Sequence, residues 1–447
     1  MPLPDLDVAV IGAGLAGLST AHHLTAAGRS VAVFEAADRV GGRTASSLRD
    51  GFRIDEGAET IASRGYPATW ELIRATDLGR ADVLPVTHSL ALWRGGSAHP
   101  YLGHPRGLLT GAGMSLRGRA DWLRFAATLG SPSLARPDAT RFADLSIRHA
   151  AADFHPDLHD ALLQPLAACF FGWDTSRSAM GPLAAVLAAH GTGSRWLTYR
   201  DGMDSLTRAL AARLSVTLSA PLGSATMDAG LVRLDFLDGT VLTARQAVLA
   251  LPAPQALALR PDLPVGERPF LESSTYAPML KAVCLLERAL PSPTPHAPSY
   301  GLLFPARENR VLSGAILDHL RAPNRAPAGR GLVSLFLAPS VTPGLLTASD
   351  DEIATTAVAA AAPHFPGLSA SVLATHVFRH PHGLPACTPP ALRLRRGFMA
   401  RPRHAIDYAG DWVVLRPNSE AAAASGRLAA ARVLATAAAP TPYSVRL

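Results

Sequence analysis

The 447-residue chain is 48% hydrophobic and carries 42 basic against 35 acidic residues, a net charge of +7. A chain of this length and apolarity buries a large core and exceeds one ordinary domain, so two domains are expected. Its basic residues are spread along the chain without forming an arm, which argues against a nucleic-acid partner.

Lys281 is the only lysine, the other 41 basic residues being arginine, a bias typical of GC-rich bacterial coding. Cys169, Cys284 and Cys387 lie far apart with no C-x-x-C pairing, which speaks against a disulfide framework or a structural zinc. The opening MPLPDLD has no basic n-region and no separate apolar h-region. No run of ~18 uninterrupted apolar residues occurs, because Arg427 and Arg432 break the Ala-rich stretch from Ala421 to Ala439. The expectation is a cytoplasmic protein without a transmembrane anchor, with a homodimer left open.

The first element is a short apolar strand, Asp7 to Ile11, followed by Gly12, Gly14 and Gly17 in GAGLAG and by a helical pattern through Leu18, Ala21, Leu24 and Ala27. Gly28 closes the helix, and SVAVFE makes a second buried strand ending in Glu35. In this β-α-β unit Gly12 permits the tight turn, Gly14 lets backbone N–H groups approach a pyrophosphate, and Gly17 lets helix pack on strand. The helix N-terminus supplies partial positive charge to the phosphates. Glu35 would accept from both ribose hydroxyls and repel a 2′-phosphate, so NADP is disfavoured while NAD and FAD both fit.

The next residues read Asp38-Arg39-Val40-Gly41-Gly42-Arg43-Thr44 and then Gly51-Phe52-Arg53-Ile54-Asp55-Glu56-Gly57-Ala58-Glu59. Here the chain resembles the flavin-containing amine oxidase superfamily, which includes monoamine oxidases, protoporphyrinogen oxidases and carotenoid-type desaturases. The resemblance implies an α/β fold: a discontinuous Rossmann-type FAD-binding domain (1–90, 200–264, 386–447) and an α+β substrate-binding domain (91–199, 265–385). It implies that Arg39, Gly42 and Arg43 line the pyrophosphate and that Gly57 and Ala58 pass close to the flavin. It also carries Leu15, Ala16, Leu222 and Ala421 over as FAD contacts. A second arginine beside a diphosphate suits bidentate charge pairing.

Further on, the Pro-rich and then helical segment Leu102 to Ala127, and Gln164-Pro165-Leu166 through Gly172-Trp173-Asp174, resemble the substrate-domain insertion of protoporphyrinogen oxidases. Asp201-Gly202-Met203 before SLTRALAARL resembles the family's G-G-M/L segment, with Asp201 departing from the usual glycine. Leu231 to Leu237 alternates, Asp238-Gly239 makes a hairpin turn, and QAVLALP forms a buried strand. Strands and Pro-rich loops follow to about residue 385, including Leu302-Leu303-Phe304-Pro305. The chain returns with Tyr408-Ala409-Gly410-Asp411, where the family's Gly-Asp pair, here Gly410 and Asp411, binds ribityl and phosphate. A helix begins near Ser419-Glu420, Glu420 being carried over as a cofactor residue. Its N-terminus would face the flavin edge that gains negative charge on reduction.

Lys281, in Ala277-Pro278-Met279-Leu280-Lys281-Ala282-Val283, matches the strand on which amine oxidases carry a lysine that holds a water at the flavin. As the sole lysine among arginines it marks a place where an ammonium serves better than a guanidinium fork. Glu59 reads equally as a base or ammonium partner facing substrate and as a carboxylate holding nearby backbone. Asn418 takes the position of the second aromatic of the monoamine oxidase cage, which suggests a larger or more polar substrate than a small arylalkylamine. The setting of Cys387, Leu384-Pro385-Ala386-Cys387-Thr388-Pro389-Pro390, implies FAD held without a covalent bond. His376, His380 and His382, with prolines between, read as loop histidines and not a metal cluster, although His380 or His382 could border the active site. Arg393, Arg395, Arg396, Arg401 and Arg403 read as a solvated basic face.

The activity expected from these readings is removal of hydride from a C–H beside nitrogen, amine or amide to iminium, on a small biosynthetic molecule of specialised metabolism. Dioxygen would be the electron acceptor and hydrogen peroxide the product. The alternatives are dehydrogenation of a porphyrinogen or of a hydrophobic carbon framework and, further off, a non-enzymatic binding protein of the same fold.

Overall fold

The computed structural model describes residues 4–130, 133, 136–190 and 195–437. Two seven-stranded sheets organise it. In the first, Ser215–Thr217, Val31–Phe34, Leu6–Ile11 and Val241–Leu249 run parallel, and Ile406–Tyr408 joins Val241–Leu249 in parallel. Leu231–Phe236 and Leu222–Asp228 extend it as an antiparallel meander. Parallel strands are covered on both faces, which explains why LDVAVI and ARQAVL lack alternation. The helix Leu15–Ala26 lies on one face with Leu18, Ala21 and Leu24 fully buried, against the long helix Ser419–Ala437. A Cβ on Gly17 would lie 1.9 Å from the Gly12 carbonyl oxygen, so only glycine lets this helix start where it does.

The second sheet runs in the order Val372–Pro385, Tyr276–Leu286, Gly331–Leu337, Leu312–Leu317, Ser299–Leu303, Ser89–Arg94, Ser97–Pro100. Here the reading of loop histidines is corrected. His376, His380 and His382 stand on a 14-residue strand that includes Pro381. It is an edge strand, where a missing N–H costs no ladder bond on the open side, and its register with Tyr276–Leu286 shifts near Pro278. The expectation of a uniformly solvated basic face is corrected too. Arg395 and Arg401 are buried, and Arg401 pairs with Asp407 and Glu267 beneath the ring of Phe398. The helix Pro389–Met399 turns Arg395 inward and Arg401 packs just past its end, which a count of charges does not reveal.

A buried ionic cluster ties the two-stranded hairpin of Ser46–Arg49 and Phe52–Asp55 to the second sheet. Asp55 ends the strand Phe52–Asp55; Asp318 and Arg321 form a short helix after Leu312–Leu317, and Arg325 follows. Arg321 reaches Asp55 at 2.8 Å and Asp318 at 2.5 Å, and Arg325 reaches Asp55 at 3.1 Å, with both arginine side chains and that of Asp55 wholly buried. Asp55 Oδ1 also accepts from the Met203 N–H and the Ser46 hydroxyl.

Burial alone would raise the Asp55 carboxyl, but Arg325 and Arg321 hold it down to about 2. An unfolded aspartate titrates near ~3.9, so roughly 2–3 kcal/mol of stability is present above that pH and lost as pH falls toward 2. Breaking one partner of a buried pair costs about 3–5 kcal/mol. Asp55→Asn is therefore expected to lower the thermal midpoint at pH 7 by several degrees, measured by circular dichroism, and to flatten the stability loss between about pH 4 and pH 2.

Candidate active site

A cavity of about 1630 Å³ runs between the two sheets. Single-ligand pockets span ~300–1,000 Å³, so there is room for a long cofactor and a substrate together. Its lining includes Gly12, Gly14, Leu15, Ala16 and Glu35 of the glycine turn and second strand, then Gly42, Arg43, Gly57, Ala58, Glu59, Lys281, Gly410, Asp411 and Asn418.

The first end is shaped for a diphosphate beside a ribose. Gly12, at φ +104°, closes the turn, and a Cβ there would meet the Ala250 carbonyl at 2.8 Å. Gly14 has nothing within 4 Å of an added Cβ and lies open to the cavity. As N-cap of the helix it offers no side-chain acceptor to the first-turn N–H groups, and that turn holds no acid. Such a terminus is an anion site. Glu35 is fixed by the N–H groups of Ala13 (2.7 Å) and Ala37 (2.9 Å), which leaves carboxylate lone pairs facing the cavity for a ribose diol. These residues fit an ADP-ribose moiety such as that of FAD.

Arg43 and Asp411, far apart in sequence, meet here: Arg43 donates to both Asp411 oxygens (2.7 and 3.1 Å) and to the Gly383 carbonyl (2.8 Å). This clasp ties the N-terminal loop to the C-terminal segment. Gly57 must be glycine, because a Cβ would lie 2.2 Å from the Arg43 carbonyl. Other carried-over residues stand behind the wall. Gly17 packs on Gly12, and Leu222 and Ala421 are buried outside the cavity lining. Arg39 pairs with Glu56 and turns away from the cavity. Glu420 accepts from the Ala68 and Thr69 N–H groups and the Thr69 hydroxyl, capping the helix Pro67–Arg74. Asn418 lines the cavity, with Oδ1 accepting from the Ala421 N–H at the start of the helix Ser419–Ala437, so its side chain serves first as a cap.

Lys281 lies on the strand next to the edge of the second sheet, opposite Phe336 on one side and Phe378 on the other. Only 2% of it is exposed. Its ammonium donates to the Asp55 carbonyl (2.7 Å) and the Glu59 carboxylate (2.6 Å) and sits 5.1 Å from the Phe336 ring centre. An ammonium has three donors, so one remains for a cavity ligand. Burial pushes the Glu59 carboxyl above its usual range, against the pull of Lys281. His380 Nε2 bonds the Glu56 carbonyl at 3.0 Å, and both His380 and His382 line the cavity.

The remaining wall is mainly apolar: Leu162, Leu166, Phe170, Leu183, Trp196 and Tyr300 are among its residues. Tyr66 stacks on His190, which meets Trp196 edge to face, and burial lowers His190 to about 4, so it is neutral near pH 7. The sequence carried no local signal for this wall, because its members come from separate helices and strands. Among the described residues three of the four lining carboxylates are paired with a cation, Glu56 with Arg39, Glu59 with Lys281 and Asp411 with Arg43, while Glu35 is held by backbone N–H groups. Cys387 is buried with its thiol raised well above the ordinary value by desolvation, and it is not part of the lining.

A model of the flavin containing amine oxidoreductase family matches residues 15–434. The chain is 24% identical over 402 residues to the chloroplastic protoporphyrinogen oxidase of Nicotiana tabacum, covering 79% of this chain and 71% of that protein. It is 49% identical over 73 residues to the putrescine oxidase of Kocuria rosea, covering 16% and 14%. Its match to the Mycobacterium tuberculosis protein AofH, named for a flavin-containing monoamine oxidase, is 38% over 147 residues and spans 31% of this chain and 30% of that protein's length. The fold is similar to that of cyclohexylamine oxidase from Brevibacterium oxydans, at a TM-score of 0.78 and 18% identity, covering 97% of this chain and 100% of that one.

Losing the charged acceptor at Glu35 removes hydrogen bonds of about 1.5–3 kcal/mol. Glu35→Ala is expected to weaken FAD binding by ~10- to 100-fold in a titration of the apoprotein, with the fold retained by circular dichroism. Acid precipitation of the wild type should release all the yellow colour to the supernatant; colour kept in the pellet would mean a covalent bond.

Proposed function

Because the chain belongs to the flavin-containing amine oxidoreductase family, we propose that it is an FAD-dependent oxidase. It would take hydride from a C–H beside nitrogen and pass the electrons to dioxygen. When bound, the flavin supplies the two-electron acceptor that is regenerated as dioxygen becomes hydrogen peroxide. The single observation that carries this reading is Lys281, the only lysine of the chain, buried in the cavity wall with one N–H donor left over.

The two fixed partners of Lys281 decide what it does. The Asp55 carbonyl and Glu59 carboxylate hold the ammonium in one place, so its free donor can orient a water or dioxygen at a constant position. A positive charge held there favours the negative charge that develops when electrons reach oxygen. Arginine would spread that charge over a planar fork and could not make the same three-way contact.

The cavity also bears on the form in which substrate binds. Its carboxylates are all engaged, and Lys281, Arg106, Arg119 and Arg195 line it. A permanently charged ammonium finds no counter-ion there. A neutral amine or amide does not need one, and a nitrogen lone pair is what stabilises the carbocation left when hydride departs. The apolar wall holds the body of the substrate and excludes water. A second reading, dehydrogenation of a hydrophobic carbon framework, is favoured by that apolar wall and by the 402-residue match to a protoporphyrinogen oxidase. Lys281 would be idle in that reaction. We also propose that residues 1–90, 200–264 and 386–447 form the cofactor domain and the rest the substrate domain.

Lys281→Met separates the readings without a known substrate. The flavin of wild type and variant is reduced by light under anaerobic conditions and mixed with dissolved oxygen in a stopped-flow instrument. The variant is expected to reoxidise at least ~10-fold more slowly, about 1.4 kcal/mol of barrier. Equal traces would favour the second reading. Peroxide release should then be scored over neutral amines, amides and porphyrinogens, with the nitrogen compounds expected to turn over.

A further inference from the structure

The edge strand Val372–Pro385 brings a titratable side chain to the cavity wall beside Lys281. In the ladder with Tyr276–Leu286, His380 stands opposite Met279 and Phe378 opposite Lys281. His380 and Lys281 are therefore diagonal neighbours on one face of the sheet, roughly 7–8 Å apart, and both line the cavity. They also hold the same piece of chain. Lys281 binds the Asp55 carbonyl and the Glu59 carboxylate, and His380 Nε2 meets the Glu56 carbonyl at 3.0 Å. That last contact sets the tautomer. A carbonyl oxygen only accepts, so Nε2 carries the hydrogen, and in the neutral ring Nδ1 keeps its lone pair. Nδ1 makes no hydrogen bond among the described residues.

Burial holds the pKa of His380 below its ordinary value, and the cations Lys281 and Arg43 lower it further, against the pull of the Glu56 carbonyl and carboxylate. The ring is neutral at pH 7 and offers an acceptor beside Lys281. Its rivals in the lining are spent. Glu56, Glu59 and Asp411 are paired with cations, His104 accepts the Arg106 N–H, and His190, lowered to about 4, is a weak base. Removal of hydride from a carbon beside nitrogen leaves a cation, and any hydrogen on that nitrogen becomes acidic. We propose that Nδ1 of His380 takes this proton, so that the substrate is a primary or secondary nitrogen compound and leaves as a neutral imine. The inference rests on the oxidase reading above. The C–H pair departs as hydride to the flavin, the nitrogen lone pair closes the C=N bond, and the N–H pair remains as the new lone pair while the proton passes to Nδ1 and then to water. Lys281 and Arg43 disfavour the imidazolium, so the proton is passed on and not kept. A tertiary amine has no proton to give and would leave its cation beside the Lys281 ammonium.

Two measurements on the FAD-loaded protein test this. In NMR of wild type labelled with heavy nitrogen in histidine, the signals missing from His380→Gln should show a protonated Nε2 and a bare Nδ1 and should titrate below ~6.5. A ring protonated on Nδ1 at pH 7 overturns the proposal. The second measurement is anaerobic reduction of the flavin by tetrahydroquinoline and by its N-methyl derivative, weakly basic arylamines that stay uncharged at neutral pH. Wild type is expected to be reduced at least ~10-fold faster by the N–H compound, at a rate that falls as pH drops through the titration of His380. Glutamine keeps a donor for the Glu56 carbonyl but takes up no proton, so His380→Gln should lose about 10²-fold of that rate together with its acid limb. Added imidazole should restore part of the rate in His380→Ala. Equal reduction by the two compounds, or a His380→Gln rate and pH profile like those of wild type, overturns the proposal. Reduction by neither compound overturns the oxidase reading and the proposal with it, whereas the NMR result bears on His380 alone.

Discussion

Five residues of chain, Asp55 to Glu59, are gripped by buried cations, and the site is arranged around that grip. Lys281 binds the carbonyl of Asp55 and the carboxylate of Glu59; Arg321 binds the carboxylate of Asp55 and the carbonyl of Glu59; Arg325 adds a second charge to Asp55. With Asp318 the cluster holds three cations and three carboxylates, so a buried assembly carries no net charge. The first sheet supplies no member of the grip, yet its glycine turn leads straight into the same cavity. The loop that would lie against the cofactor is thereby positioned by the substrate-side sheet, and the two halves of the site share one fixed reference.

The fold was legible where chemistry is local. Gly12, Gly14, Gly17 and Glu35 announced the first unit because turn, helix start and ribose acceptor must follow each other at short range. The lone lysine stood out by composition alone, and the structure puts it in the cavity wall. What escaped was non-local. Arg321 and Arg325 look like any other arginines in a chain that uses 41 of them; only the folded chain brings them to Asp55. Arg39 and Glu420, read as cofactor residues, have their charges taken up by Glu56 and by a helix N-terminus, roles that sequence spacing does not distinguish from ligand contact. Pro381 between His380 and His382 points to a loop in the sequence, although an edge strand tolerates proline.

Electrostatics also ranks the substrates. On the proposed oxidase reading, a cavity whose carboxylates near Lys281 are paired with cations would select against an ammonium and favour a neutral nitrogen compound with an apolar body. Burial that lowers His190 to about 4 keeps even that side chain from adding a charge at neutral pH.

We propose that one cavity holds the whole cofactor, reaching from Glu35 to Lys281. A crystal structure of the yellow protein is the decisive measurement. The diphosphate is expected over Gly14, the adenosine ribose on Glu35, and the flavin ring beside Ala58 within one water's reach of the Lys281 ammonium. A flavin ring lying out of reach of Lys281, or a ribose that leaves Glu35 unbonded, would contradict it.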